Sequence, residues 1–343
     1  MATFDVNDLL EPISDEAPCG DDLEYDSEFG ELVRVAKGKP EHMEGDKEIP
    51  AEPPKWNEVA DLAVALLGRT RDLRVAAHLA QAELHLNGFP GFAESLALIH
   101  GLSTSYWDDV HPRLVDEDGD EDPDYRANSL APLNSKDGVV GSVSRAVLAS
   151  SRALGQFSLR DMRLANGEIS PGPDEETPDP THIDAAFMDC DLDELQATAA
   201  AADRCRDLIS AIDTYYREQL GIEITPEFSA LEAEMKEVRR VLTEQLGNRG
   251  VETEGDEEDA GAEGGSAPAQ AMRLGEINSR EDAIKVIDKL CEYFRKNEPS
   301  SPVPLLLQRA KRLIAKDFLE ILKDLTPDGV SQAEMIGGVD NDS

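Results

Sequence analysis

Long apolar runs, basic residues and paired cysteines are all scarce in this 343-residue chain, and each scarcity excludes a class of protein. No stretch approaches about 18 consecutive apolar residues, so we expect no transmembrane helix. The first residues, MATFDVNDLLEP, lack a basic stretch followed by an apolar one, so we expect no secretory signal. The four cysteines form no CxxC pair, which favours free thiols in a reducing cytoplasm.

Basic residues number 33 against 72 acidic residues, which gives a formal net charge of -39. Such a surface repels phosphate backbones and anionic lipids, so neither nucleic acid nor direct membrane insertion is expected. The imbalance is uneven along the chain. Residues 276–343 hold 10 Lys+Arg against 13 Asp+Glu, a net of -3, whereas the preceding residues hold 23 against 59, a net of -36.

Motifs of common chemistries are missing as well. There is no G-x-x-x-x-G-K-[ST], no G-x-G-x-x-G and no HExxH, and His78 and His85 are seven residues apart instead of four. The acidic stretch from Asp116 to Asp122 lacks the glycine and the final glutamate of a calcium loop. Cys19 has no neighbouring histidine or basic residue to lower its pKa. We therefore expect no enzyme, with no catalytic, cofactor-binding or metal-binding residue and no cofactor.

Apolar residues recur at helical spacing, and no segment shows period-two alternation between turns, which predicts an all-α fold. One helix should begin near Trp56, the next should end at Asn87–Gly88, and an Ala- and Val-rich helix is expected from Gly141 to Ala153. The expected domains are a helical N-terminal domain (1–165), a Pro- and acid-rich linker (166–180), a helical-hairpin middle domain (181–247), an acidic flexible tether (248–275) and a small helical C-terminal oligomerisation domain (276–343).

The middle domain and the tether follow from two different patterns. A heptad seam predicts two facing helices, with apolar positions at Leu195, Ala202, Ile209 and Tyr216, then Phe228, Met235 and Leu242. Between positions 252 and 265 the tether holds seven carboxylates and no large apolar side chain. It cannot bury enough surface to offset its ordering entropy, so we expect two helical parts on a flexible connection.

The last predicted helix, LLLQRAKRLIAKDFLEILKDL, carries a stripe of basic residues. Arg309, Arg312, Lys316 and Lys323 lie at spacings of three, four and seven, which places them on one face. The stripe is either the solvated side of an amphipathic helix or a docking surface in an assembly whose other surfaces are acidic. We interpret it as an oligomer or partner interface.

Several segments resemble the ImpA N-terminal domain, which marks the TssA family of type VI secretion systems. In order, they are PISDEAPCGDDLEYDSEF, the run from WNEVADLAVALLGRTRDLRVAAHL to GFPGFAESLALIHGL, YWDDVHPR and DPDYRANSLAPL, within about residues 10–165. The C-terminal FRKNEPSSPVPLLLQRAKRL resembles the end domain of that family, with Ser300 where His is commoner. This segment adds Glu298, Pro299 and Pro302 to the expected interface, and the middle domain matches no motif.

The resemblance implies a non-enzymatic cytoplasmic assembly factor, of the short form, that forms rings through its C-terminal domain. Its partners would be baseplate, sheath and tube proteins of a contractile injector, with recruitment to the complex anchored in the inner membrane. The alternative is a regulatory adaptor or effector chaperone that binds a single protein partner as a monomer or dimer. Mass in solution separates the two, because a ring contains many subunits.

Overall fold

The computed structural model describes residues 2–39, 42–44, 47–49, 51–115, 119, 122–136, 138–172, 175–221, 224–251, 287, 291, 294–295 and 302–313. The chain divides into two compact units, Met1–Glu257 and Glu258–Ser343. Within the described ranges, no helix is long and apolar enough to cross a membrane.

Most of the described part of the first unit is helical. Its helices are α1 (Val6–Leu10), α2 (Ser27–Ala36), α3 (Trp56–Leu67), α4 (Leu73–Ser105), α5 (Pro123–Asn128), α6 (Val139–Arg145), α7 (Leu159–Ala165), α8 (Pro180–Asp189), α9 (Leu192–Leu220) and α10 (Ser229–Asn248), with a 3₁₀ turn at Ala131–Asn134. It also contains β1 (His42–Glu44), β2 (Lys47–Ile49), β3 (Val147–Ser151) and β4 (Gly155–Ser158). In the second unit the structure describes α11 (Val303–Leu313).

The prediction of an all-α fold is wrong, because β1 pairs with β2 and β3 pairs with β4 in two antiparallel hairpins. The helix expected from Gly141 to Ala153 ends at Arg145, and the chain continues as β3. A register shift lies between Val147 and Ala149, and both Leu148 and Ala149 are buried. Such a bulge removes the period-two alternation by which a strand is recognised in a sequence.

The other hairpin lies between α2 and α3. His42 pairs with Ile49 and Glu44 pairs with Lys47, so two residues connect the strands. The connecting pair is Gly-Asp, which is a known hairpin signal. The strands are three residues long and mostly polar, so they show no apolar pattern that would have made the signal stand out.

Helix α4 is the centre of the first unit. Asp72 caps it by accepting a hydrogen bond from the Arg74 backbone N–H at 2.8 Å. The expected stop at Asn87–Gly88 is confirmed, since Gly88 leaves the helical conformation (φ 62°, ψ -152°) and divides α4 into two straight parts. Helix α3 packs on one side of α4, and α9 packs on another.

The heptad seam is confirmed, and it joins three helices instead of two. Its buried members are Leu195, Ala202, Cys205, Ile209, Ile212 and Tyr216 on α9, and Leu231, Met235, Val238 and Leu242 on α10. Helix α9 packs against both α10 and α4, so the helices between 180 and 248 lie in the same compact unit as residues 1–165. The boundaries at 165 and 181 stay predictions about folding. Residues 252–275 of the predicted tether lie outside the described residues.

Candidate functional site

The segments that resemble the ImpA domain meet beside the start of α4. The Arg71 backbone N–H donates to the Cys19 carbonyl at 2.8 Å, and the His111 N–H donates to the Arg71 carbonyl at 2.9 Å. The Leu73 N–H donates to the His111 carbonyl at 2.9 Å, so three distant stretches run side by side. We call residues 1–26, which precede α2, the arm, and we call this region the arm junction. It comprises residues 19–26, 69–74, 107–113 and 122–126.

Gly20 allows the arm to approach the turn before α4. Its φ is +67°, a conformation that L side chains rarely adopt. A Cβ at this position would lie 2.3 Å from the Arg69 carbonyl oxygen, which is far inside van der Waals contact. The glycine of the APCGDD segment is therefore required by the backbone geometry of the junction.

Arg126 organises the loop that follows α4. Its side chain is completely buried, and it donates to three backbone carbonyls, those of Pro112, Trp107 (2.9 Å) and Val110 (2.8 Å). The guanidinium also lies 5.0 Å from the centre of the Trp107 ring, in a cation–π contact. Burial lowers the pKa of Arg126, yet an arginine stays charged in proteins. The residue thus fixes the path of residues 107–112.

Arg71 does the same for the arm. It is buried, and its Nε donates to the Glu11 carbonyl at 3.0 Å, while Nη1 donates to the carbonyls of Leu67 and Thr70. These bonds connect the end of α1 to the end of α3. Two buried arginines that bond to backbone carbonyls therefore hold the loops of the junction in place.

Arg74 connects the junction to its surface. Its guanidinium donates to Asp22 at 2.7 Å, Glu24 at 2.8 Å, Asp72 at 2.7 Å and the Tyr125 hydroxyl at 2.7 Å. Burial alone would lower the pKa of Arg74, but the hydrogen bond and charge of Asp72, with help from Asp22 and Glu24, raise it above the usual value. This side chain ties the arm, α4 and α5 together.

The histidines of α4 do not form a catalytic arrangement. His85 stacks on Trp56 with ring centres 4.1 Å apart, and its Nε2 lies 2.8 Å from Ser142 Oγ. That hydroxyl already donates to the Gly138 carbonyl at 2.9 Å, so it accepts from His85 and is not deprotonated by it. Burial, helped by Arg145, lowers the pKa of His85 to about 4. An imidazole of this kind orients α6 and does not act as a base.

Cys19 is not activated as a nucleophile either. Burial raises the pKa of Cys19 to about 11, so the thiolate needed for a nucleophile is disfavoured. No group of three His, Cys, Asp or Glu side chains within the described residues is arranged to hold a metal ion. Asp116 and most of the acidic loop after it lie outside those residues.

An open groove of about 440 Å³ runs between α4 and α9, and it is lined by His100, Asp207, Ser210, Ala211, Thr214, Tyr215 and Glu218.

The interface expected from the sequence falls only partly within the described residues. Arg309 and Pro302 are exposed, and the backbone of Arg312 belongs to α11. Glu298, Pro299, Lys316 and Lys323 lie outside the described residues, so the stripe stays a prediction. Helix α11 also exposes two large apolar side chains, Leu305 at 72% and Leu306 at 66%.

Sequence reasoning missed the arginines of the arm junction. Arg71 and Arg74 stand in GRTRDLR, and Arg126 stands in DPDYRANSL, two segments that carry the family resemblance. An arginine beside apolar residues in such a segment was the available signal. Its partners could not be read, because they are backbone carbonyls and carboxylates from distant parts of the chain.

Comparisons with known proteins agree with the resemblance. A family model described as ImpA, N-terminal, type VI secretion system matches residues 10–135. The chain is 40% identical to the Type VI secretion system component TssA1 of Pseudomonas aeruginosa, over 99% of this chain and 100% of that protein.

A solved structure shares the fold of the first unit. It is the N-terminal domain, including the conserved ImpA_N region, of the TssA component of the type VI secretion system from Burkholderia cenocepacia. The TM-score is 0.58 at 25% identity, and the match covers 72% of this chain and 95% of that one. The shared fold therefore extends past residue 165, and so beyond the region covered by the family model.

Proposed function

Because the chain belongs to the TssA family of type VI secretion system components, we propose that it serves that system as an oligomeric scaffold with no reaction of its own. The observation that carries the proposal is the end-to-end similarity to a type VI component. It makes the chain a structural or assembly component of the machine. The finer points concern which residues join the copies and which proteins they meet.

Residues 276–343 are proposed to join the copies into a ring. Their net charge is -3, against -36 for the rest of the chain, so copies meet there with the least electrostatic repulsion. Leu305 and Leu306 supply exposed apolar surface on α11, and Arg309 adds a cation on the same helix. Apolar side chains exposed close together are typical of protein–protein contacts.

The first unit is proposed to meet the baseplate, sheath or tube proteins. The connection after α10 would let it reach partners at several distances from the ring. The strong negative charge argues against nucleic acid and anionic lipid as partners. We place the protein in the bacterial cytoplasm, recruited to the complex that is anchored in the inner membrane.

Mass photometry of the full chain tests the scaffold. The double change Arg312→Glu with Lys316→Glu should shift the assembly towards smaller species, because it removes attraction and adds repulsion at every interface of a ring. The shift should be larger at low salt, where screening is weak. The matched control is Arg34→Glu with Lys55→Glu, which changes the net charge equally at two exposed side chains of the first unit.

The result separates the scaffold from the alternative function. A wild-type chain that is a monomer or dimer would overturn the ring and favour the adaptor or effector chaperone with one partner. If the double variant keeps the full mass while the wild type is a ring, the stripe is a solvated face. Export of the tube protein by cells that carry each variant then shows whether assembly is needed for secretion.

A further inference from the structure

Of the exposed large apolar side chains described in the first unit, Tyr25 and Tyr125 belong to the arm junction, and Val115 lies two residues beyond residue 113. Among the described residues of this unit, the large apolar side chains that are exposed are Tyr25, Val115, Tyr125, Val147 and Met188. The most exposed is Tyr25, at 97%. An aromatic side chain so far from the core contributes almost nothing to folding, since it buries no area. The exposure of Tyr25 is therefore not explained by a contribution to folding stability.

Hydrogen bonds connect the chain segments that carry three of these side chains, Tyr25, Val115 and Tyr125. Glu24, which precedes Tyr25, accepts from the Tyr125 hydroxyl at 2.8 Å and from Arg74 at 2.8 Å. Asp122 accepts from the Tyr125 backbone N–H at 2.9 Å, and its own N–H donates to the Leu114 carbonyl at 2.8 Å. Val115 is the next residue. We call the surface formed by Tyr25, Val115 and Tyr125, with the carboxylates beside them, the tyrosine surface.

The backbone that presents Tyr25 is fixed on both sides. Asp26 caps α2 by accepting from the Glu28 N–H at 2.8 Å, and it also binds Arg69 at 2.7 Å. On the other side, Glu24 is held by Arg74. A side chain on a fixed backbone loses less conformational freedom on binding than one on a free loop. Tyrosine is also enriched at the centres of protein interfaces.

The charge around the tyrosine surface determines what it can bind. Three arginines lie beside it. Arg69 and Arg74 each contact at least two carboxylates, and Arg113 is exposed two residues before Val115. They are outnumbered by the carboxylates of Asp21, Asp22, Glu24, Asp26, Asp72, Asp122 and Asp124. Asp21 and Asp124 are exposed carboxylates on the two segments that carry Tyr25 and Tyr125, and neither contributes to those ion pairs. The surface is therefore anionic, and anionic groups of a partner would be repelled.

We propose that the tyrosine surface binds an arginine-containing, partly apolar segment of a partner protein. A guanidinium stacks on a tyrosine ring and bonds to a carboxylate through two parallel N–H groups, which a lysine cannot do. The apolar side chains of the segment would cover Val115 and the faces of the tyrosines. The inference rests on the proposed function only in taking the partner to be a protein, and it does not depend on ring formation.

Fluorescence anisotropy on the full chain tests this assignment. The probe is a fluorescein-labelled synthetic peptide of Arg, Leu and Ser, compared with the same peptide carrying Lys for Arg and with one carrying Ser for Leu. Tyr25→Ala should weaken binding of the Arg–Leu peptide about tenfold or more. Met188→Ala removes another exposed apolar side chain and should leave binding unchanged. Because Tyr25 is so exposed, its variant should keep the circular dichroism spectrum of the wild type.

A charge pair completes the design. Asp21→Asn with Asp124→Asn should weaken binding and reduce its dependence on salt, while Asp8→Asn with Asp184→Asn, two exposed carboxylates elsewhere, should do neither. Equal affinity of Tyr25→Ala and Met188→Ala overturns the proposal, and so does equal binding of the Arg and Lys peptides. A smaller assembly mass for Tyr25→Ala also overturns it, because the surface would then join copies of this chain. If the wild type is not a ring but the predicted binding differences hold, only the scaffold proposal fails.

Discussion

The arm junction and the heptad seam are stabilised by different forces. In the arm junction, arginines donate hydrogen bonds to specific carbonyls and carboxylates, as Arg126 does to the carbonyls of Pro112, Trp107 and Val110. In the seam, α9 packs against both α10 and α4, and its buried side chains, such as Ile209, are mostly apolar. Directional bonds need one residue type at one position, whereas apolar packing accepts many side chains of similar volume.

The recognisable motifs, such as APCGDD and DPDYRANSL, supply residues of the arm junction. The middle hairpin matches no motif, although it belongs to the same compact unit and its seam is well formed. A heptad pattern specifies helices that pack, but it leaves the identity of each apolar residue open.

The largest expected effect comes from separating the two regions. A chain of residues 1–165 lacks α9 and α10, so the side of α4 that α9 covers would face water. Each large apolar side chain exposed in this way costs about 1.5–3 kcal/mol. We expect residues 1–251 to unfold in one transition by circular dichroism, and residues 1–165 to be far less stable or unfolded. Equal unfolding midpoints would instead show that the boundary at 165 marks an autonomous domain.

The next effect tests the directional bonds of the arm junction. Arg126→Ala leaves three carbonyls without their donor, two of them in buried hydrogen bonds, and each buried one costs about 1–3 kcal/mol. We expect the free energy of unfolding in urea to fall by at least about 2 kcal/mol. Arg126→Lys should recover only part of this loss, because an ammonium cannot reproduce the planar fork. Full recovery by lysine would mean that charge, and not geometry, holds the loop.

A third change tests the tolerance of the seam. Met235→Ala removes a fully buried side chain of α10 and should cost about 2–5 kcal/mol. Met235→Leu keeps the volume and should cost less than about 1.5 kcal/mol. Urea unfolding measures the loss of stability in both variants. The loss for Met235→Leu is then compared with the loss for Arg126→Lys, the conservative change in the arm junction. If Met235→Leu were as costly as Arg126→Lys, the contrast between the regions would not hold.

The smallest effect concerns pH. Burial lowers the pKa of His78 and of His85, the latter to about 4, whereas an unfolded histidine titrates near about 6.5. Between about pH 6.5 and pH 5 the unfolded chain therefore binds more protons, so stability falls as the pH falls. His85 is only partly shielded from water, so solvent screening reduces its contribution. In the double variant His78→Gln with His85→Gln, the urea unfolding midpoint should fall less steeply as the pH is lowered from about 6.5 to about 5. If the midpoint of the variant depends on pH as steeply as that of the wild type, the two histidines are not the cause.

The sequence by itself determined the local structure and the charge. Helical periodicity predicted α3, the stop at Gly88 and the seam of α9 and α10, because each depends on residues a few positions apart. The division into a strongly acidic part and a nearly neutral part is a property of composition alone. The family resemblance also came from short segments that can be read in order along the chain.

The tertiary structure decided where distant residues meet. The bulge in β3 hides its alternation, so only pairing with β4 reveals a strand. Nothing local shows that Arg126 donates to carbonyls near position 110, or that Tyr125 reaches Glu24. Such bonds join residues that are far apart in the chain, and their geometry exists only after α4 and its neighbours have packed. The arm junction, and the exposed tyrosine that it presents, are therefore products of the fold.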